Sequence, residues 1–297
     1  MKKFFLLLIL FPFILDASTK LIVLGSGTPN PDPERKGSAY AVIVNDKAYL
    51  VDFGPGVVRS AAALSPEWGG NIKALSVKNL EYAFLTHIHS DHSAGLADLL
   101  LTPWIMGRDK EIKLFGPSGL DKMANSILIA YEEDINYRIY GTQPSNKRGY
   151  KYKFKSIDEG LVYEDENIKV EAFKVPHGSF DDAYGFKFTT EDKVIVFSGD
   201  TGPSKNIEKL AYKADILVHE VYSQAGFLKK TEDWQKYHRD HHTSTLEVGE
   251  IASKAKPQLL LLSHILFWGS SPDEILQETK QTFSGNITVA EDLMIIE

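Results

Sequence analysis

The 297 residues carry 43% hydrophobic and 25% charged side chains, an ordinary globular balance that leaves room for a sizeable core. A formal net charge of −7 offers no general attraction to polyanions, which sets long nucleic acid aside as a default partner. The absence of cysteine excludes disulfides, thiolate metal sites and cysteine nucleophiles, so a metal would have to sit on His, Asp or Glu.

Residues 1–18 run from Lys2 and Lys3 through the apolar stretch Phe4 to Leu15 to the small residues Ala17 and Ser18, the layout of a signal peptide. That stretch is shorter than the ~20 residues of a membrane-spanning helix. The expected product is therefore a single mature domain, residues 19–297, periplasmic or secreted and without stable membrane insertion. The β-rich run Lys20 to Leu24 ends in Gly25-Ser26-Gly27-Thr28-Pro29. A dinucleotide loop fails there, because the third glycine is missing and Pro29, Pro31 and Pro33 forbid an immediate helix. Ala39 to Val44 and Lys47 to Asp52 predict a hairpin turning at Asn45-Asp46, followed by the glycine-rich step Phe53 to Gly56 and a helix over Val57 to Leu64. Leu80 to Leu85 reads as a strand, Gly95 to Thr102 as a helix apolar on one face, Lys113 to Gly116 as a strand and Leu120 to Tyr131 as a helix. Short strands follow between Tyr150 and Phe173, then a hairpin of Tyr184 to Thr190 with Lys193 to Phe197, a strand at Ile216 to His219, a helix at Thr245 to Lys254 and an apolar strand at Gln258 to Ser263. Strands in both halves with helices between and after them predict two mixed sheets sandwiched between helical layers.

The segment Thr86-His87-Ile88-His89-Ser90-Asp91-His92 gathers three imidazoles and a carboxylate just past a predicted strand. Residues two apart at a strand end can point the same way, so His87 and His89 can bind one ion while Asp91 and His92, on the following turn, bind a second. Zinc suits such ligands.

This run resembles the His-x-His-x-Asp-His signature of the metallo-β-lactamase superfamily. Counterparts of its other motifs follow in order: Asp52 in Leu50-Val51-Asp52-Phe53-Gly54, His177 in Val175-Pro176-His177-Gly178, Asp200 in Ser198-Gly199-Asp200-Thr201, and His264 in Leu262-Ser263-His264. The resemblance implies an α/β fold, an αββα sandwich of two mixed β-sheets flanked by helices, with two zinc ions. His87, His89 and His177 would hold the first, Asp91, His92 and His264 the second, and Asp200 would bridge both, with Asp52 orienting a ligand imidazole. Val218-His219-Glu220-Val221 and His241-His242-Thr243-Ser244-Thr245 are similar to the His-Glu and His-Thr-Ser motifs of the ribonuclease Z-like branch, which includes bacterial arylsulfatases of this fold. By that likeness Glu220 holds His242 beside the leaving group, and His242 is preferred to His241 because it directly precedes Thr-Ser. Asp91, Glu220 and His242 form the expected catalytic set. His238 and His241 have no assigned role, and Trp234, Tyr237 and Trp268 are candidates either for an apolar or aryl pocket wall or for ordinary core packing.

The mechanism that follows is attack by a hydroxide held between two zinc ions, with His242 as proton donor to the leaving oxygen. The expected substrate is a small sulfate ester or phosphodiester, arylsulfatase-like or phosphodiesterase-like, with β-lactamase or lactonase activity as the alternative. Transfer-RNA 3′ processing ranks lower. The interval from His177 to Asp200 is short, holds Asp181, Asp182, Glu191 and Asp192, and leaves no space for that branch's basic substrate arm; export would also part the enzyme from transfer RNA. A non-catalytic metal-binding module ranks last, and a homodimer is a family expectation alone.

Overall fold

The computed structural model describes residues 19–297; the expected signal peptide, residues 1–18, lies outside the described residues. Most of the central strands are continuous apolar runs buried on both faces, as a sheet covered on each side requires. The first sheet takes β1 (Lys20–Gly25), β2 (Ala39–Val44), β3 (Lys47–Val51), β4 (Tyr82–Phe84), β5 (Ile112–Gly116) and β6 (Tyr152–Ser156) in that spatial order. The second takes β7 (Gly160–Glu164), β8 (Lys169–Lys174), β9 (Tyr184–Thr189), β10 (Val194–Phe197), β11 (Ile216–Tyr222), β12 (Leu259–Leu266) and β13 (Ile287–Val289), and the C-terminal β14 (Ile295–Ile296) returns to pair with β1. Each half begins as an antiparallel meander and continues parallel: β3, β4, β5 and β6 run parallel in the first sheet, and β10 to β13 in the second. The predicted hairpin turn has Asn45 and Asp46 both at positive φ, 48° and 58°, as a tight two-residue turn of matching twist requires.

Alternation sorts the core into three slabs. Leu50, Ala83 and Leu114 face outward onto α1 (Val57–Leu64) and, beyond the short α2 (Ser90–Ser93), α3 (Leu96–Ile105). Their neighbours Tyr49, Val51, Phe84 and Phe115 face inward and meet Phe186, Phe188, Ile195 and Val218 of the second sheet. Phe84 stacks on Phe115 at 4.6 Å and takes Phe188 edge-on at 5.4 Å. Outside the second sheet, Leu217, Leu260 and Leu262 pack against Val248, Ile251 and Ile275. The fold is the αββα sandwich of two mixed sheets between helical layers. Helices α4 (Gly119–Ala130) and α5 (Glu132–Tyr140) extend the first helical layer, and α6 (Lys205–Leu210), α7 (Gln224–Phe227), α8 (Glu232–His241), α9 (Thr245–Ala255) and α10 (Pro272–Lys280) belong to the second half.

Besides the short α6 and α7, three longer helices escaped the sequence reading. α5 and α8 are polar, and α8 buries none of its residues, so neither shows an apolar stripe. α10 did carry a start signal: Ser271 and Glu274 form a capping box around Pro272 at the first helical position. Among the described residues no helix is long and apolar enough to cross a membrane.

Candidate metal centre

The parallel runs place the carboxyl ends of β3, β4, β10, β11 and β12 along one rim, where open α/β sheets gather ligands. β3 ends at Asp52, which takes a left-handed φ of 59° while its N–H still bonds the carbonyl of Phe84 at 2.8 Å. β4 delivers Thr86, His87 and His89, and the single turn of α2 brings Asp91 and His92 back to the same point. Gly54 is needed for that return, because a side chain there would run into the carbonyl of Asp91. His177 follows β8, and Asp200 follows β10 across Gly199 at φ 61°. His264 lies inside β12 where the register against β11 slips, Glu220 pairing with Ser263 and Val221 with Ile265. It is the unpaired residue of a β-bulge, held at φ 47°, a strained conformation for a non-glycine residue that takes its imidazole out of the strand's alternation.

All the donors expected from the sequence meet here. His89 Nδ1 lies 2.9 Å from His87 Nε2 and 3.3 Å from His177 Nε2, and Asp200 Oδ2 is 3.8 Å from His87 Nε2. The other oxygen of Asp200, Oδ1, is 3.3 Å from His92 Nε2 and 3.4 Å from His264 Nδ1. Asp91 Oδ2 completes that second group, 2.9 Å from His264 Nε2 and 3.5 Å from His92 Nε2. Two donor groups that could each hold a metal ion thus share one carboxylate, His87, His89, His177 and Asp200 on one side and Asp91, His92, His264 and Asp200 on the other.

The residues fit a cation. His92 Nε2, Asp200 Oδ1 and His264 Nδ1 are buried and have no hydrogen-bond partner among the described residues, a costly arrangement unless something accepts their lone pairs. The outer nitrogens are engaged instead. His92 Nδ1–H donates to Asp52 Oδ2 at 2.7 Å, and His177 Nδ1–H donates to the carbonyl of His241 at 2.8 Å, which leaves the Nε2 lone pairs facing the centre. Asp52 is itself held by the N–H of Thr86 at 2.8 Å. Burial opposes charge on His92, but Asp200, Asp91 and Asp52 outweigh it and raise its pKa well above the usual imidazole range. Burial likewise opposes charge on Asp200, and His264 and His92 overcome it and hold the carboxyl well below its usual range. Burial instead lowers the pKa of His87, His89 and His177, the last to about 4, so these imidazoles stay neutral with their lone pairs free.

Beside this centre Glu220 Oε2 lies 3.2 Å from His242 Nδ1, and Thr243 N–H donates to Glu220 Oε1 at 2.8 Å. Burial pushes Glu220 well above the carboxylate range and His242 down to about 4. Both directions favour a neutral pair, with the shared proton on Glu220 and the imidazole's own proton on Nε2. His241 does something else: its ring stacks on Tyr237 at 4.1 Å and its carbonyl fixes His177. No sequence signal marks a carbonyl for that task. His89, Asp91, Asp200 and His242 open onto a cleft of about 440 Å³ that Lys230, Trp234, Tyr237, His238 and Trp268 also line. Trp234 and Tyr237 are exposed, so they wall the cleft and are not core. Between His177 and Asp200 the chain makes only the β9–β10 hairpin. Asp182 there pairs with Lys174 at 2.8 Å, and Asp192 accepts from Thr19 N–H at 3.0 Å, at the opposite end of β10 from Asp200.

The family model of the metallo-beta-lactamase superfamily matches residues 32–264. A protein named Ribonuclease Z from Mycobacterium bovis (strain BCG / Pasteur 1173P2) is 29% identical over 287 residues, covering 94% of this chain and 98% of its own length. The human tRNase Z, short form, superposes with a TM-score of 0.69 at 22% identity, over 94% of this chain and 98% of that one. A metallo-beta-lactamase fold protein from Bacillus subtilis gives 0.72 at 20% identity, over 94% and 100%. These two structures are alike in fold.

The relatives correct three expectations. A small sulfate ester or phosphodiester as substrate, with β-lactam or lactone hydrolysis as the alternative, is overturned by curated relatives that align along nearly the whole chain and are named for a ribonuclease. The exclusion of nucleic acid as a partner falls with it. Its weakness is physical: net charge sums the whole surface while a nucleic-acid contact is local, and acids counted against it, Asp182 and Asp192, are tied into their own pairs. A periplasmic or secreted location is corrected on the same finding, since RNA is a polymer of the cell interior and the argument for export rests only on residues 1–18, outside the described residues. What stands is a metal-dependent hydrolase. The chain belongs to the metallo-β-lactamase superfamily, in its ribonuclease Z-like branch.

Proposed function

We propose that residues 19–297 form a two-zinc phosphodiesterase that cleaves RNA, of the kind its ribonuclease Z relatives are named for, with a transfer-RNA precursor as the substrate to test. His87, His89 and His177 would hold one ion, Asp91, His92 and His264 the other, and Asp200 would be shared by both. Supporting this are the two donor groups that share Asp200 and the buried lone pairs of His92, Asp200 and His264 that lack a partner. Ions bound there would acidify water and offset charge on the attacked phosphate.

The chain's own residues do the rest. Asp52 and the His241 carbonyl keep His92 and His177 in the tautomer whose Nε2 faces inward. His242 Nε2–H gives its proton to the leaving oxygen as the phosphorus–oxygen bond breaks, while the proton on Glu220 Oε2 moves to His242 Nδ1. The pair is neutral before the step and carries one negative charge after it, on Glu220, whose carboxylate then has the N–H of Thr243 and the Nδ1–H of His242 as donors. The observation that carries the reading is this pair, 3.2 Å apart, opening onto the same cleft as both donor groups.

The test is a transfer-RNA precursor with a 3′ extension, incubated with zinc-loaded protein beside a chelated control and mapped at its ends. One discrete, metal-dependent cut supports the reading. Intact RNA with two zinc ions bound per chain sinks the substrate, and protein that takes up no zinc sinks the centre.

A further inference from the structure

We infer that Trp234, His238 and Trp268 form a stacking platform for an unpaired base beside the scissile phosphodiester, with Lys230 facing the adjoining phosphate. The inference rests on the reading of RNA as the substrate class and names the residues that grip it.

α8 contributes nothing to the core, yet it presents Trp234, 56% exposed, and Tyr237, 40% exposed, on the wall of the cleft that holds His89, Asp91, Asp200 and His242. Large aromatic groups left in water and gathered in one cleft mark a binding surface. They are gathered into one aromatic cluster: Trp234 lies nearly parallel to His238 at 5.6 Å with planes 22° apart, and Trp268 meets His238 at 4.4 Å across a 54° tilt. Trp268 is held at φ 46°, a conformation that a bulky residue adopts only when its surroundings impose it. His238 is half-buried between the two tryptophans, its Nδ1 without a hydrogen-bond partner among the described residues.

Charge and size point to the same occupant. Lys230 Nζ stands 4.6 Å from the centre of the Trp268 ring and supplies a cation for a phosphate at the edge of a stacked base. About 440 Å³ takes a nucleotide or two and not a duplex, which selects an unpaired strand. With only a hairpin between His177 and Asp200, the cleft wall is what remains to hold the strand. Stacking accepts any base because every base has a π-face.

The experiment measures binding to the full chain stripped of metal, which leaves the probe uncut, by anisotropy of a dye-labelled oligouridylate and of an abasic sugar-phosphate oligomer of equal length. The oligouridylate is expected to bind roughly tenfold or more tighter than the abasic oligomer, and Trp234→Ala and Trp268→Ala each to weaken it ~5- to 100-fold. Trp234→Phe and Trp268→Tyr should keep most of the affinity, which separates loss of an aromatic face from misfolding. Equal binding of the abasic oligomer, or unchanged binding by Trp234→Ala, overturns the platform. Failure to cut RNA despite base-dependent binding would sink the ribonuclease reading and leave the platform standing, whereas metal-dependent cutting with no effect of Trp234→Ala on base-dependent binding would do the reverse.

Discussion

Asp52 Oδ2 stands 2.7 Å from Nδ1 of His92, two residues forty positions apart that meet because β3 and β4 run parallel and end together. The carboxylate belongs to neither donor group; through Nδ1 it sets which nitrogen of His92 faces inward. Replacing Asp52 by Ala should lower zinc affinity by roughly 10- to 100-fold while the fold survives. Competition against a chelator of known strength measures it, and unchanged affinity would remove the positioning role.

Removing a donor should act more severely. Asp91→Ala and His264→Ala are each expected to bind one zinc fewer than the parent and to lose activity with it, because each opens the group that includes His92 and Asp200. Elemental analysis decides the point; two full-occupancy ions in either variant would refute the assignment.

His242→Ala should keep both ions. Its deficit is expected at the leaving group, a loss of roughly 10²- to 10⁴-fold on RNA and much less on aryl phosphodiesters whose leaving groups need no proton. Glu220→Gln should follow the same trend more weakly, since it leaves His242 in place. Equal slowing across a leaving-group series would exclude His242 as the acid.

Asp165 joins the two sheets. It accepts from Tyr49 of β3 at 2.8 Å, from Tyr163 of β7 at 2.8 Å and from Lys47 at 3.0 Å, and from the N–H of Asn167 at 2.9 Å. Burial alone would raise its pKa, but the Asn167 N–H, Lys47 and the two tyrosines bring it down to about 2. A depressed carboxylate stabilises the fold above its unfolded pKa near 3.8, and that contribution is lost as pH falls through 2. Asp165→Asn should therefore cost about 1 kcal/mol at neutral pH after allowance for solvent screening, and the difference from the parent should shrink as pH falls from 4 towards 2. Urea unfolding of the metal-free pair at several pH values tests it, and a difference that grows on acidification would contradict the sign.

Much of the site was legible in the chain because its signals are local. The His-rich run is contiguous, His177 and Asp200 sit on short turns after apolar strands, and His242 was distinguishable from His241 by the Thr-Ser that follows it. The aromatics stood undecided between core and pocket. α8 has no apolar stripe, so nothing in the sequence said which way Trp234 and Tyr237 face; packing against the cleft did. The substrate was misread for a related reason: a net charge summed over the chain does not say where the charges lie, and Asp182, one of the acids counted, is paired with Lys174.

By itself, the sequence determined the donor inventory, with cysteine absent and His and Asp in the right order, and the two-sheet sandwich, because strand alternation and turn residues act over a few positions. Only the tertiary structure decided that His264 sits in a bulge at φ 47°, that the two oxygens of Asp200 face different donor groups, and that the backbone of His241 steers His177. Each of these depends on register between strands or loops tens of residues apart. Register is set by the packing of the whole core, and no local pattern in the chain encodes it.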